Sequence, residues 1–221
     1  MMTNLGRLIV IEGADNVGRT MHSRLLAQRL EANGIATAQI GLSRSELLGE
    51  MMKSRSTEVH SLNPRTRSLL YATDLFDQIL HQVDPLLEAG FVVIADRYQL
   101  TPLIREKVRN GDIEWIESLY QGVPKPDFTV ILDAGPRRQL DRLLYSEDLD
   151  KLNYFEAGMD LGIDSSITRS FLKYQKTIRK EFAKFAENEG HPIISTKGTV
   201  SEVHEMIWDA LQPAINDILS D

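Results

Sequence analysis

The stretch Ile9-Val10-Ile11-Glu12-Gly13-Ala14-Asp15-Asn16-Val17-Gly18-Arg19-Thr20 runs from an apolar strand pattern, through a loop bounded by two glycines, straight into a helical pattern. A junction of this kind has the spacing of a phosphate-binding loop. Its glycines let successive backbone N–H groups point into one concavity, and the following helix offers the positive end of its dipole to an anion. The motif carries lysine where this chain has Arg19. A guanidinium is longer and planar, so it binds phosphate without placing its charge as a compact ammonium does. Gly13, Asn16, Val17, Gly18, Arg19, Thr20 and Met21 are therefore expected to line a nucleotide phosphate site, with the Thr20 hydroxyl toward Mg2+. The competing reading is a glycine-rich structural turn in which Thr20 caps the helix.

Working outward, short apolar runs recur at Leu8–Ile11, Ala36–Ile40, Phe91–Ala95, Phe128–Leu132 and Pro192–Ser195. Runs apolar on both faces, separated by helical patterns, predict an α/β fold: a five-stranded parallel sheet with helices on both faces. Thr20–Asn33 reads as a helix closed by Gly34, and about Arg65–Glu88 as one closed by Gly90. The latter is apolar on more than one face. One stripe would cover the sheet, and the other would be buried in the core or meet a second subunit. Thr101-Pro102 reads as an N-cap with first-turn proline, Asn110-Gly111-Asp112 as a helix break and restart, and Gly135-Pro136 as another start. Residues 54–63 read as a polar connector. Residues 146–164 are polar, acidic and weakly patterned, which suits a lid over a site or a plain surface loop. Ile167, Phe171, Tyr174, Ile178, Phe182 and Phe185 share one helical stripe, and Thr199-Val200-Ser201-Glu202 has capping-box spacing before a last amphipathic helix.

Composition bounds the rest. The chain has 221 residues, 42% of them hydrophobic and 26% charged, which suits one domain over residues 1–221. A net charge of −7 disfavours a nucleic-acid surface as the main activity. With no cysteine, disulfides, thiolate metal sites and cysteine nucleophiles are excluded. No apolar run reaches membrane-spanning length, so a cytoplasmic protein without a membrane partner is expected.

In an open parallel sheet, ligands collect beyond the carboxyl ends of the strands. There the sequence places Glu12 and the glycine loop, Asp96-Arg97-Tyr98, and Asp133. Phosphoryl transfer between anionic substrates needs a cradle for donor phosphates, a cation for the acceptor phosphate, and carboxylates that organise Mg2+ or the acceptor hydroxyl. Arg97 suits bidentate capture of an acceptor phosphate, with a local ion pair as its alternative. Asp133 reads as a structural cap of the turn into Pro136. His22, His60, His81, His191 and His204 lack metal-ligand spacing and read as surface or packing residues.

Taken together, these segments resemble the thymidylate kinase family of nucleoside-monophosphate kinases over nearly the whole chain. Ile9-Val10-Ile11-Glu12-Gly13-Ala14-Asp15 is similar to the family's first strand and loop, Arg44 with Leu48-Gly49-Glu50 to its segment after strand two, and Leu62-Asn63-Pro64-Arg65-Thr66 to the start of its third helix. Asp96-Arg97-Tyr98 matches its most diagnostic tripeptide, and Lys125-Pro126-Asp127 and Phe155-Glu156 complete the likeness. The resemblance implies a three-layer P-loop kinase fold with a small lid, ATP and Mg2+, a nucleoside-monophosphate acceptor and a homodimer. It implies Asp15, Arg19 and Arg97 as catalytic, Thr20 and Asp96 at the metal, and Asp15, Arg44, Arg97 and Tyr98 at the acceptor. Departures accompany it. Leu75 stands where the family reads the thymine edge with arginine, Arg105 and Glu106 fall near its sugar-selecting tyrosine and glutamine, and Asn16 and Tyr154 occupy positions of its catalytic arginine. The resemblance thus implies ATP-dependent phosphorylation with altered acceptor choice, or a nucleotide-binding homologue with impaired turnover.

Overall fold

The computed structural model describes residues 6–145, 152 and 154–219. Its strands β1 (Arg7–Gly13), β2 (Thr37–Gly41), β3 (Val92–Asp96), β4 (Phe128–Asp133) and β5 (Ile193–Ser195) form one parallel sheet in the order β2-β3-β1-β4-β5. Around it lie α1 (Arg19–Ala32), α2 (Gly49–Ser54), α3 (Ser56–Ser61), α4 (Pro64–Gln78), α5 (Asp84–Glu88), α6 (Leu100–Val108), α7 (Ile113–Leu119), α8 (Pro136–Leu144), α9 (Ile167–Glu189) and α10 (Val200–Leu219).

Because strand side chains alternate, β1 serves two cores at once. Ile9 and Ile11 pack with Leu26 and Leu30 of α1, Tyr174 and Ile178 of α9, and Ile207 and Leu211 of α10. Leu8 and Val10 pack on the other face with Leu75 and Ile79 and with Ile116 of α7. Both faces are thereby withdrawn from water, as near-continuous apolar strands require. Register then positions the site: Ile11 pairs with Asp96 and Gly13 with Leu132, so the carboxyl ends of β1, β3 and β4 lie side by side.

Several local expectations are met. Asp112 caps α7 by accepting from Trp115 N, Gly34 and Gly90 lie in the left-handed region after their helices, and Thr199 and Glu202 exchange the bonds of a capping box. Others are corrected. Residues 56–61 form α3 rather than a bare connector, because Val59 packs with Met52 and Tyr71. The helix expected over Arg65–Glu88 begins at Pro64, with the Asn63 side chain accepting from Thr66 N, and widens into a π turn at Ile79–Val83. Pro85 follows at once; it lacks an N–H and would crowd the carbonyl four residues before it, which a wider turn relieves. Thr101 does not cap its helix. α6 starts at Leu100, and the Thr101 hydroxyl donates to Glu12 instead. Asp133 is likewise no cap, since both its oxygens accept from Arg179 at 2.5 and 2.6 Å. Of the expected lid, residues 146–151 and 153 lie outside the described residues, and the remainder includes a 3-10 turn at Met159–Leu161.

Candidate active site

The glycine loop leaves β1 through backbone conformations that side chains disfavour: Gly13 at φ +140°, Asn16 at +58° and Gly18 at +105°. At Gly13 the requirement is also steric, since a Cβ would strike the Leu132 carbonyl oxygen of neighbouring β4. Asparagine tolerates the left-handed region better than most residues, which suits Asn16. The loop borders a cleft of about 560 Å3 that also takes in Met21, Arg97, Arg142, Glu156 and the segment from Thr196 to Val203.

Arg19 folds back beneath the loop. Its guanidinium donates to the Gly13 and Ala14 carbonyl oxygens, and its Nε to Asp96 at 3.3 Å. Burial and the nearby Arg97 push its pKa down to about 10, against the pull of Asp96, Asp15 and Glu12, so it is a cation at neutral pH. Asp96 gathers three partners: Arg19, the Thr20 hydroxyl donating at 2.5 Å, and Arg44 donating at 3.1 Å. Burial alone would raise its carboxyl, but Arg19, the Thr20 bond, Arg97 and Arg44 hold it below the usual value.

Asp15 is equally enclosed. Arg97 and Arg105 both donate to its Oδ1, the latter at 2.8 Å, and Gln175 donates to Oδ2 at 3.3 Å. Burial opposes ionisation here too, and is outweighed by Arg105, Arg97 and Arg19 together with Gln175, which hold the carboxyl well below the usual range. Arg97 itself has φ +71°, a conformation that costs a non-glycine residue of order 1 kcal/mol or more and collects at functional sites. Glu12 supports that turn from beneath. Its fully buried carboxylate accepts from Tyr98 N at 2.8 Å and the Thr101 hydroxyl at 2.5 Å, and burial raises its pKa despite those bonds.

Asp15, Arg19, Thr20, Arg44, Asp96 and Arg97 are thus brought together at the strand ends, in two bonded clusters around Asp96 and Asp15. Tyr98 is not. Its ring lies in the second core and its hydroxyl donates to the Pro124 carbonyl at 3.2 Å. Arg142, Gln175 and Arg67 escaped the sequence. Arg142 of α8 donates to the Asn16 and Thr196 carbonyls, joining the phosphate loop to the loop after β5. Its only sequence signal is a four-residue step from Arg138, which bonds the same Thr196 carbonyl. Gln175 and the bidentate Arg67–Glu106 pair, at 2.6 and 2.8 Å, join elements too distant in sequence to be read from spacing.

Among the described residues no group of three or more histidines and carboxylates converges on a metal position. Thr20 and Asp96 nonetheless bring two hard oxygens together beside the loop. That pair fits Mg2+, which keeps several waters and takes phosphate oxygens as its other ligands.

Comparison with known proteins agrees with this geometry. Residues 11–207 match the family model described as thymidylate kinase. The chain is 33% identical over 186 residues to a probable thymidylate kinase 2 of Saccharolobus solfataricus, covering 84% of this chain and 85% of that one. It is 25% identical to a probable thymidylate kinase of Pyrococcus abyssi, covering 91% and 94% of the two chains. Identity is also 25% to a thymidylate kinase of Schizosaccharomyces pombe, covering 93% and 91%.

Proposed function

The chain belongs to the thymidylate kinase family, whose chemistry is phosphoryl transfer to nucleoside monophosphates, and from that premise we propose that it transfers the γ-phosphoryl of ATP to a nucleoside monophosphate with Mg2+. The observation that carries this reading is the juxtaposition of Arg97, held by Asp15, with the glycine loop in a single cleft. A donor cradle and an acceptor cation then share one cleft, and positioning with charge stabilisation supplies most of such catalysis.

In this reading the backbone from Gly13 to Thr20 and Met21 surrounds the donor phosphates, and Arg19 adds positive charge from below. Thr20 and Asp96 hold Mg2+, which bridges and neutralises phosphate charge when bound. Arg97 and Arg44 grip the acceptor phosphate, Asp15 orienting Arg97 and Asp96 orienting Arg44, and Tyr98 contributes through its backbone at the base of the turn. Arg142, lodged against the Asn16 carbonyl, supplies the cation that Asn16 and Tyr154 lack. Acceptor choice is altered: the buried Leu75 offers no donor to a base edge, and a site that loses such a pairing loses the discrimination it gave. Exposed Leu69, Phe76 and Leu80 on and just after α4 support a homodimer, which light scattering would register as twice the chain mass.

The test is ADP release from ATP and Mg2+ across a panel of nucleoside monophosphates that includes dTMP. Acceptor-dependent ADP is expected, and Arg97→Ala should lower kcat/KM for the acceptor about 100-fold, as loss of a charged bidentate contact would. Absence of acceptor-dependent ADP across the panel would overturn the reading. A second reading, a nucleotide-binding homologue with impaired turnover, is favoured by the engagement of Arg19 with the loop's own carbonyls. It predicts ATP binding without acceptor-dependent ADP.

A further inference from the structure

Buried tyrosine hydroxyls usually find a hydrogen-bond partner, and two in this molecule do: Tyr98 donates to the Pro124 carbonyl at 3.2 Å and Tyr174 accepts from Arg109 at 2.5 Å. Tyr120 is different. It ends α7 and is 6% exposed, and its hydroxyl is buried without a hydrogen-bond partner among the described residues. The carboxylates that face it are engaged elsewhere. Asp74 accepts from Ser43 N, Ser45 N and Gln78, Glu106 from Arg67, and Glu12 from Tyr98 N and Thr101. Burial, followed by Tyr71, Glu106, Glu12 and Asp74, pushes the phenol pKa up, so the proton stays on the oxygen at neutral pH. An enclosed donor without an acceptor is costly and calls for an explanation.

Its place in the fold supplies one. Tyr120 borders a small pocket with Tyr71, Leu75, Arg97, Tyr98 and Pro102, and Arg97 also borders the main cleft, so a single side chain touches both spaces. No residue of the glycine loop lines the small pocket, which therefore lies on the side of Arg97 away from the donor phosphates. The Nε–H of Arg97 is also buried without an acceptor, as expected of a side chain whose remaining donors take a phosphate. About 10 Å3 of the pocket is free, close to what one water needs. An exocyclic oxygen or amino group matches that volume; a ring does not. Leu75 offers such a group only methyls, whereas Tyr120 offers a hydroxyl.

We propose that the Tyr120 hydroxyl reads the exocyclic group of the acceptor's base from this pocket, in place of the donor that Leu75 lacks, and that the chain thereby takes keto and amino pyrimidines alike. The inference deepens the kinase reading and rests on it in taking Arg97 as the acceptor-phosphate site. The chemistry of the hydroxyl sets the breadth. A guanidinium only donates and so selects a keto oxygen, whereas a phenol donates to a keto oxygen or accepts from an amino group. Ring size sets the limit. Tyr71, Leu75 and Tyr98 are each 5% exposed or less, and so narrow a mouth favours one ring over a fused pair.

The test is calorimetric binding of dTMP, dCMP, dAMP and 2-deoxyribose 5-phosphate, without ATP, to the wild-type chain and Tyr120→Phe, with ATP affinity and urea midpoints measured alongside. In the wild type dTMP and dCMP should bind within about fivefold of each other and dAMP more weakly than that margin. Tyr120→Phe should weaken dTMP and dCMP each about tenfold, because a base atom then enters the pocket without a partner. The sugar phosphate, which carries no base, should bind both proteins equally, and ATP affinity should not change. The urea midpoint should be equal or higher in the variant, since the lost hydroxyl had no partner in the chain. Unchanged dTMP and dCMP constants in the variant, a larger preference between them in the wild type, or dAMP bound within the same margin overturns the proposal. So does a lowered midpoint or a weakened sugar phosphate, either of which makes the hydroxyl structural. Weaker nucleotide binding in the variant, without acceptor-dependent ADP in the wild type, sinks the kinase reading and leaves the proposal; acceptor-dependent ADP with unchanged constants does the reverse.

Discussion

Arg19 is the residue at which ancestry and geometry pull hardest against each other. A lysine in its place would present one compact charge, whereas the guanidinium spans two loop carbonyls and Asp96 at once. That reach makes it both a strut of the loop and a cation under any phosphate that enters. Arg19→Ala should therefore abolish measurable transfer and weaken ATP binding at least tenfold, because the buried Asp96 and the loop carbonyls lose their donor together. Arg19→Lys should bind ATP within about threefold of wild type, since the charge survives, while kcat falls about tenfold from the lost fork geometry. Single-turnover ADP formation with saturating acceptor separates the two effects, and equal kcat in wild type and Arg19→Lys would remove any special role for the fork. The loop was legible because glycine spacing is a local code. The direction in which the Arg19 side chain folds was not, because it depends on an aspartate 77 residues away.

At the scale of elements, the same distinction governs what sequence reveals. The five strands were readable from apolar runs, and the caps at Asp112 and Thr199 from residues within one turn of each other. Thr101-Pro102 looked equally plain as a cap, yet Thr101 serves Glu12 at the end of β1, a partner that no local window contains. α6 is thereby tied to the strand that launches the phosphate loop. Thr101→Val keeps the shape of the side chain and removes that donor, leaving a fully buried carboxyl with fewer partners. The expected cost is about 1–3 kcal/mol, read as a lower urea midpoint with unchanged slope. Because Glu12 also accepts from Tyr98 N, the Arg97 turn should loosen with it, raising the acceptor KM more than the ATP KM. An unchanged midpoint would mean that water replaces the hydroxyl at no cost.

For the whole molecule, titration links the site to stability. Burial first, and then Arg105, Arg67 and Arg109, push His60 down to about 4, with Asp15 pulling the other way. Burial, His204 and Arg142 do the same to His22, also to about 4. Both imidazoles are neutral when folded, while an unfolded histidine takes up its proton near pH 6.5. The unfolded chain thus binds more protons between those values, so stability is full above about pH 6.5 and drains as the pH falls toward 4. Asp15 and Asp96, whose pKa values are lowered, extend the loss to more acidic conditions, and Glu12, raised by burial, opposes it in part by favouring the folded state when protonated. Urea unfolding of wild type, His60→Asn and His22→Asn at pH 7.5 and 4.5 isolates the histidine share. The cost of each substitution cancels when a variant is compared with itself across pH. Each variant should lose about 1–2 kcal/mol less than wild type between the two conditions, a discount for partial exposure of His60 included. A wild-type-sized loss in both variants would show that neither histidine is kept neutral by the fold, and that the acid limb belongs to the carboxylates alone.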